Sequence, residues 1–266
     1  MARKIQEMKL KNVVLDDSSD DESDTAEAAA DYLGGLSLEK LNLGPKKKLL
    51  VLCLGGLLVD RVHKRNSASI KGRRPDFVFG NFLVFKRPFC AEFLKFCFER
   101  FEVGLWSSAK EHNIDYVLDC IASGIRSKFV FIWDQEECID TGFGSLDNKH
   151  KPIFLKELKK IWENRARALP FYSSSNTLLI DTDPCKALLN PPNTAIFPPQ
   201  YEWNNSEDAF LGPKGDLQVF LDGLADADEV PSYVKEHSIG QPAITSTHPD
   251  WSFYNQVLRH LYRTKA

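Results

Sequence analysis

The sequence predicts an α/β domain built on a doubly wound, mostly parallel sheet, and three observations carry that prediction. Short, nearly continuous apolar runs recur at Leu49–Leu54, Glu102–Trp106, Phe129–Trp133 and Thr177–Asp181, the pattern of strands buried on both faces. Segments with apolar residues at helical spacing lie between them, as in a chain that alternates strand and helix. The first run ends at Gly55-Gly56, the place where an open α/β sheet puts its chemistry.

Residues 1–45 precede the first strand and read as a disordered acidic tail. The run Asp16-Asp-Ser-Ser-Asp-Asp-Glu-Ser-Asp24 has no aromatic and no base, so it buries too little apolar area to offset its ordering entropy. Ser18, Ser19 and Ser23, each followed by acids, suit an acid-directed kinase. A solvated leader without a role explains them equally well.

From residue 46 to 224 the chain reads as one domain. After the first strand, Arg61 to Gly80 is polar, basic and without periodicity, which predicts a small flap inserted over the carboxyl edge of the sheet. Phe82–Phe85 reads as extended. Pro88 then opens a helix with Phe89, Phe93, Leu94, Cys97, Phe98 and Phe101 on one face, as core rather than as a binding stripe. Glu102–Trp106 is a second buried strand ending at Ser107-Ser108, followed by a helix carrying Ile114, Val117, Leu118 and Ile121. Phe129–Trp133 is a third strand. Lys151 to Glu163 is expected to be helical, with Phe154, Leu155, Leu158, Ile161 and Trp162 facing inward. Thr177–Asp181 is a fourth strand, and Thr194–Phe197 a fifth, closed by Pro198-Pro199. A helix follows around Asp216–Leu224. Residues 225–266 then supply a linker and an amphipathic helix, Trp251–Tyr262, expected to pack on the domain.

Composition narrows the function. At 43% hydrophobic and 27% charged the chain can form a sizeable core. The first 45 residues carry −5 of a total of −3, leaving about +2 on the other 221. That near-neutral body gives no electrostatic support to nucleic-acid or membrane-surface binding. No apolar run approaches the roughly 20 residues of a membrane span. The start has neither a signal-peptide core nor the acid-poor look of a mitochondrial presequence. The six cysteines are scattered without a metal-ligand pattern and are expected to be reduced thiols of an intracellular protein.

Four stretches then carry a resemblance: GGLLVD after the first strand, VGLWSSAKEHNIDYVLD, HKPIFLKELKKIW, and NTLLIDTDPCKALLNPPNTAIFP. Together they resemble the haloacid-dehalogenase superfamily and, within it, the RNA polymerase II C-terminal-domain phosphatases, or NLI-interacting-factor-like phosphatases, in a plant branch. The resemblance spans roughly Lys46 to Leu224 and continues more weakly into the last helix. It implies a Mg²⁺-dependent phosphoserine protein phosphatase working through an aspartyl-phosphate. Such enzymes place Asp-x-Asp at the end of the first strand, the first as nucleophile and metal ligand, the second as general acid/base.

This chain departs from that pattern at its start. Cys53 stands at the nucleophile position, Gly55 at the acid/base position and Leu57 where a Thr often follows. The resemblance further implies that Ser107 contacts the phosphoryl group, with Ser108 beside it. It gives Lys156, with Lys151 as runner-up, the role of balancing charge, and makes Asp181, with Asp183 one step past Thr182, the vestigial Mg²⁺ site.

The chemistry points the same way without the family. In-line phosphoryl transfer needs a positioned nucleophile, a proton donor for the leaving alcohol and a hard cation. Gly55 has nothing to donate, and a thiol is a poor Mg²⁺ ligand. Loss of a nucleophile costs about 10⁶-fold in kcat in a well-studied hydrolase. Cys53 also lacks a phosphate loop, since Val59 stands six positions on. Cys120-Ile-Ala-Ser-Gly-Ile-Arg126 has the Cys-to-Arg spacing of tyrosine phosphatases but falls inside a helix.

Each candidate also has a plain structural reading. Cys53 would be a small residue closing a buried strand, Ser107 a strand-end hydroxyl, Lys156 part of a solvated Lys-rich helix, and Asp181 a cap for the next turn.

The expected function is a catalytically impaired phosphatase-fold protein that binds a protein or phosphopeptide partner, in the nucleus or cytoplasm. One alternative is a residually active Mg²⁺-dependent phosphatase recruiting Asp60 or Asp183. Another is a receptor-type subunit of the mitochondrial inner-membrane import translocase.

Overall fold

The computed structural model describes residues 47–70, 72–164 and 171–265. The acidic stretch 1–45, with Ser18, Ser19 and Ser23, lies outside the described residues. In chain order the strands are β1 (Leu49–Leu52), β2 (Val59–His63), β3 (Phe77–Phe79), β4 (Phe82–Lys86), β5 (Glu102–Trp106), β6 (Phe129–Trp133), β7 (Ile139–Gly144), β8 (Pro152–Leu155), β9 (Thr177–Ile180) and β10 (Ala195–Ile196). The helices are α1 (Cys90–Arg100), α2 (Glu111–Ile121), α3 (Lys159–Trp162), α4 (Asp216–Asp226), α5 (Val230–Glu236) and α6 (Trp251–Lys265).

Five strands form one sheet in the order β10-β9-β1-β5-β6, and every pairing in it is parallel. This is the mostly parallel α/β architecture expected. Its physical basis shows in β1, where alternate residues go to opposite faces. Leu50 and Leu52 join Phe93, Leu94 and Cys97 of α1, Ile114, Val117 and Leu118 of α2, and Leu217, Leu221 and Leu224 of α4. Leu49 and Val51 face the other way, against Trp106, Phe131, Trp133, Leu158, Ile161 and Leu179. All four β1 side chains are fully buried, each stabilising by roughly 1.5–3 kcal/mol. The register sets Leu52 between Leu105 and Ile180. Whatever follows these three strands must therefore meet at one edge.

Gly104 of β5 shows how closely the second face is packed. A Cβ added there would sit 2.2 Å from the Phe131 ring, closer than any real contact. Gly104→Ala is therefore expected to destabilise by about 1–3 kcal/mol, read from the midpoint of urea unfolding. An unchanged midpoint would mean that the Phe131 ring moves freely.

Three local expectations need correction. The flap after β1 contains two strands, β2 and β3, in a stretch that read as polar and without periodicity. β2 and β3 both pair antiparallel with β4, the stretch read as extended, in a three-stranded sheet. Phe89 does not join the helical core face. It adopts φ 63° just before α1 and is 44% exposed.

Lys151–Glu163 is not one helix. Pro152–Leu155 is a strand paired with β7, and only Lys159–Trp162 is helical. Burial there alternates, with Ile153 and Leu155 inside while Pro152 is exposed and Phe154 half-buried. The period of two outweighs the helical reading, and Pro is tolerated at a strand's first residue. Against β8 packs α6, through Val257 and Leu261, which meet Ile153, Leu155 and Cys185. Among the described residues no helix is long and apolar enough to cross a membrane.

Candidate functional site

The carboxyl ends of β1, β5 and β9 and the residue after β8 converge on one cavity of about 510 Å³. Cys53, Gly55, Ser107, Ser108 and Lys156 line it, as do Asp60, Arg61, Lys151, Asp183 and Lys186. Asp181 lies beneath, fully buried. The sheet register brings Cys53, Ser107 and Asp181 together, because each continues one of three adjacent strands. Cys53 N donates to Ile180 O at 3.0 Å and Ser107 N to Trp133 O at 2.9 Å.

The floor is an ionic triad. Lys156 Nζ donates to Asp181 Oδ2 and, at 2.6 Å, to the Trp106 carbonyl. Lys186 Nζ donates to Asp181 Oδ1 at 3.1 Å, and the Asp183 N–H donates to the same oxygen at 3.1 Å. Lys156 is 0% exposed, so it is no part of a solvated helix face. It stands just past a strand, held by β8 pairing.

Burial alone would push the Asp181 carboxyl up, but the Lys156 and Lys186 ammoniums outweigh it and hold the group below the usual carboxylate range. Burial works against charge on Lys186 too, yet attraction to Asp181 raises its affinity for the proton above that of an ordinary lysine.

Cys53 is uncharged at neutral pH. Burial first, then the nearby Asp181 charge, push its thiol up to about 12. Its Sγ–H points at the Gly55 carbonyl, 3.7 Å away. A nucleophilic thiol needs the opposite environment.

The two glycines beyond it differ. Gly56 has φ 78°, and a Cβ there would come within 2.8 Å of Thr182 Oγ1, so only glycine fits. Gly55 carries no such strain, and a Cβ on it would lie 3.9 Å from an Arg61 guanidinium nitrogen. The space that a side chain at position 55 would enter therefore faces Arg61.

Neither carboxylate weighed as a replacement acid contacts the Asp181 carboxylate. Asp60 accepts from the Trp203 N–H at 2.9 Å, and burial raises its pKa. The Asp183 carboxylate accepts from Cys185 N at 3.2 Å. Asp183, not Asp181, is thus the cap of the 3₁₀ turn Pro184–Ala187. Ser107 Oγ accepts from the Ala109 N–H at 3.1 Å. Lys151 is exposed at the cavity mouth. Cys120 is on α2, and Arg126 pairs with Asp115 and Asp119. The Cys-to-Arg spacing builds no phosphate loop.

A family model described as NLI interacting factor-like phosphatase matches residues 48–231, from the start of β1 through the core helix α4 into the first turn of α5. The chain belongs to this family. Among individual relatives, an uncharacterized FCP1 homology domain-containing protein of Schizosaccharomyces pombe is 27% identical over 155 residues, covering 55% of this chain and 59% of that protein. The chain thus aligns with less than two thirds of that relative.

Two solved structures of the RNA polymerase II CTD phosphatase Fcp1, the first from fission yeast, are similar at 14% identity. The beryllium-fluoride-bound form has a TM-score of 0.40 and covers 89% of this chain and 67% of that one. The second has a TM-score of 0.39, covering 88% and 66%.

Phosphatases of this type are generally Mg²⁺-dependent, so the donor set can be tested against that ion. Mg²⁺ demands near-octahedral oxygen ligands. Here both Asp181 oxygens are engaged by ammonium or N–H groups, Cys53 offers a protonated sulfur, and Gly55 offers no side chain. Among the described residues no group of three or more His, Cys, Asp or Glu is placed to hold a metal. The residues present do not fit Mg²⁺.

Sequence reasoning missed Lys186 and Arg61. Lys186 was legible in outline, since Asp183-Pro184 begins a tight turn five residues long that carries the lysine back over Asp181. Arg61 was not, because its position depends on the β2 pairing.

Proposed function

We propose that this NLI interacting factor-like protein no longer hydrolyses phosphate esters and acts by binding a protein partner, through a phosphorylated serine held in the β1 cavity. The observation that carries the reading is the end of β1. The position of a nucleophile holds a buried thiol kept protonated, and the position of an acid/base holds glycine. In-line transfer then has neither an attacking group nor a proton donor for the leaving serine oxygen. What is retained suits binding: Ser107 and Lys156 line the same cavity, and the fold around it is intact.

Purified full-length chain is expected to show no Mg²⁺-dependent turnover of p-nitrophenyl phosphate or of a phosphoserine peptide above buffer. Turnover that disappears in Ser107→Ala would overturn the proposal. Such a result would place the chemistry in this cavity after all.

A further inference from the structure

We infer that Lys186 is a built-in substitute for a divalent cation, and that the β1 cavity takes a phosphate monoester dianion without any metal. This rests on the binding role proposed above and specifies its ligand and its independence from Mg²⁺.

The charge balance at the floor is the first support. Two ammoniums share one carboxylate, and Cys53 adds no charge, so the Lys156–Asp181–Lys186 triad keeps one net positive charge facing the cavity. Hydrogen-bonding capacity is the second. An ammonium has three protons. Lys156 Nζ uses two of them, on Trp106 O and Asp181, and Lys186 has the one hydrogen bond to Asp181 Oδ1. Lys156 is fully buried, so the spare protons that reach the cavity are those of Lys186, whose side chain is 17% exposed. Ser107 Oγ accepts from Ala109 N, which leaves its own hydrogen to donate.

Arg61 is the third support. Its guanidinium stands over Gly55, where no side chain intervenes, and a planar fork of N–H donors suits a phosphate oxygen pair. A partly desolvated cluster of this kind binds doubly charged phosphate better than singly charged anions.

The mouth of the cavity also carries Asp60, Asp147 and Asp183. Asp60 and Asp183 already accept backbone N–H groups. These three acids outnumber Arg61 and Lys151 there by one, a balance that disfavours further carboxylates, so the ligand should be a phosphoserine flanked by neutral or basic residues rather than acidic ones.

The test is titration calorimetry of the full chain with orthophosphate and with a phosphoserine peptide of basic flanks. Each is run once in EDTA and once in millimolar Mg²⁺. Equal affinity in both buffers, within about twofold, is the expected result. Lys186→Ser should weaken binding in EDTA by at least about tenfold, the scale of one charge-assisted hydrogen bond, while Lys186→Arg retains most of it. Lys235→Ser, on the exposed side of α5, should leave affinity unchanged.

Binding seen only with Mg²⁺ would overturn the inference while leaving the non-hydrolysing, binding role standing. Binding with turnover would overturn that role as well. No phosphate binding in either buffer would overturn the inference and remove the phosphoserine from the partner. The EDTA and Mg²⁺ comparison on the unmodified chain needs no variant, so the inference stays testable even if Lys186→Ser does not fold.

Discussion

Asp181→Asn is expected to destabilise the protein by about 3–5 kcal/mol, the cost of removing one member of a buried ionic group and leaving the others uncompensated. The expectation follows from position and count. Asp181 is fully buried, and it is the acid between Lys156 and Lys186. Without its charge, two ammoniums face each other in a desolvated pocket. The amide is nearly isosteric, so cavity formation does not confuse the result.

The difference should also depend on pH in a fixed direction. Asp181 has a folded-state pKa depressed below its ordinary value of 3.8. Its contribution is therefore complete above that value and is lost as pH falls through the depressed one. Urea unfolding of both proteins should show a constant gap at neutral pH that narrows only in acid below about pH 4.

Lys186 gives the opposite wing. Its pKa is raised above 10.5, so its contribution is present below that value and is lost as pH rises beyond it. A gap that closes between pH 5 and 8 would show that neither group is coupled as the distances indicate.

The sheet was legible because its code is local. Leu49–Leu52 and Leu178–Ile180 are apolar without interruption, as strands buried on both faces read. Cys53, Ser107 and Asp181 were legible for a related reason. Each follows the last residue of a strand, β1, β5 or β9, and parallel pairing places those residues side by side.

What failed depends on partners distant in sequence. Pro152–Leu155 has too few residues to separate a strand from a helix turn, and its pairing with β7 decides the matter. Lys156 looked like one lysine among Lys151, Lys159 and Lys160. Only the fold turns it inward while its neighbours Lys159 and Lys160 stay exposed. The triad itself could not be read from spacing, since its members come from the ends of two strands and a 3₁₀ turn.

On the non-hydrolysing role proposed above, replacing both residues at the end of β1 should not by itself produce a phosphatase. Cys53→Asp with Gly55→Asp supplies a nucleophile and an acid, and the geometry accepts both. Gly55 is outside the left-handed region and has room for a Cβ, and Asp is close to Cys in size. Yet Lys186 would still hold Asp181 Oδ1 at 3.1 Å, and its ammonium would compete with Mg²⁺ for the carboxylates. The triple variant with Lys186→Ser frees that oxygen.

Mg²⁺-dependent hydrolysis of p-nitrophenyl phosphate by the triple variant is expected to exceed the buffer blank, the level of the unmodified chain, by roughly 10³-fold. That is well short of the ~10⁶-fold span that a lost nucleophile can cause. The double variant should lag the triple by at least about tenfold, and calorimetry should show Mg²⁺ binding tighter in the triple by a similar factor. Equal activity in the two would remove Lys186 from the metal's place. A folded, Mg²⁺-binding triple variant without turnover would move the deficit beyond the floor of the cavity, to Thr182 or to the Arg61 guanidinium that stands where the new acid must work.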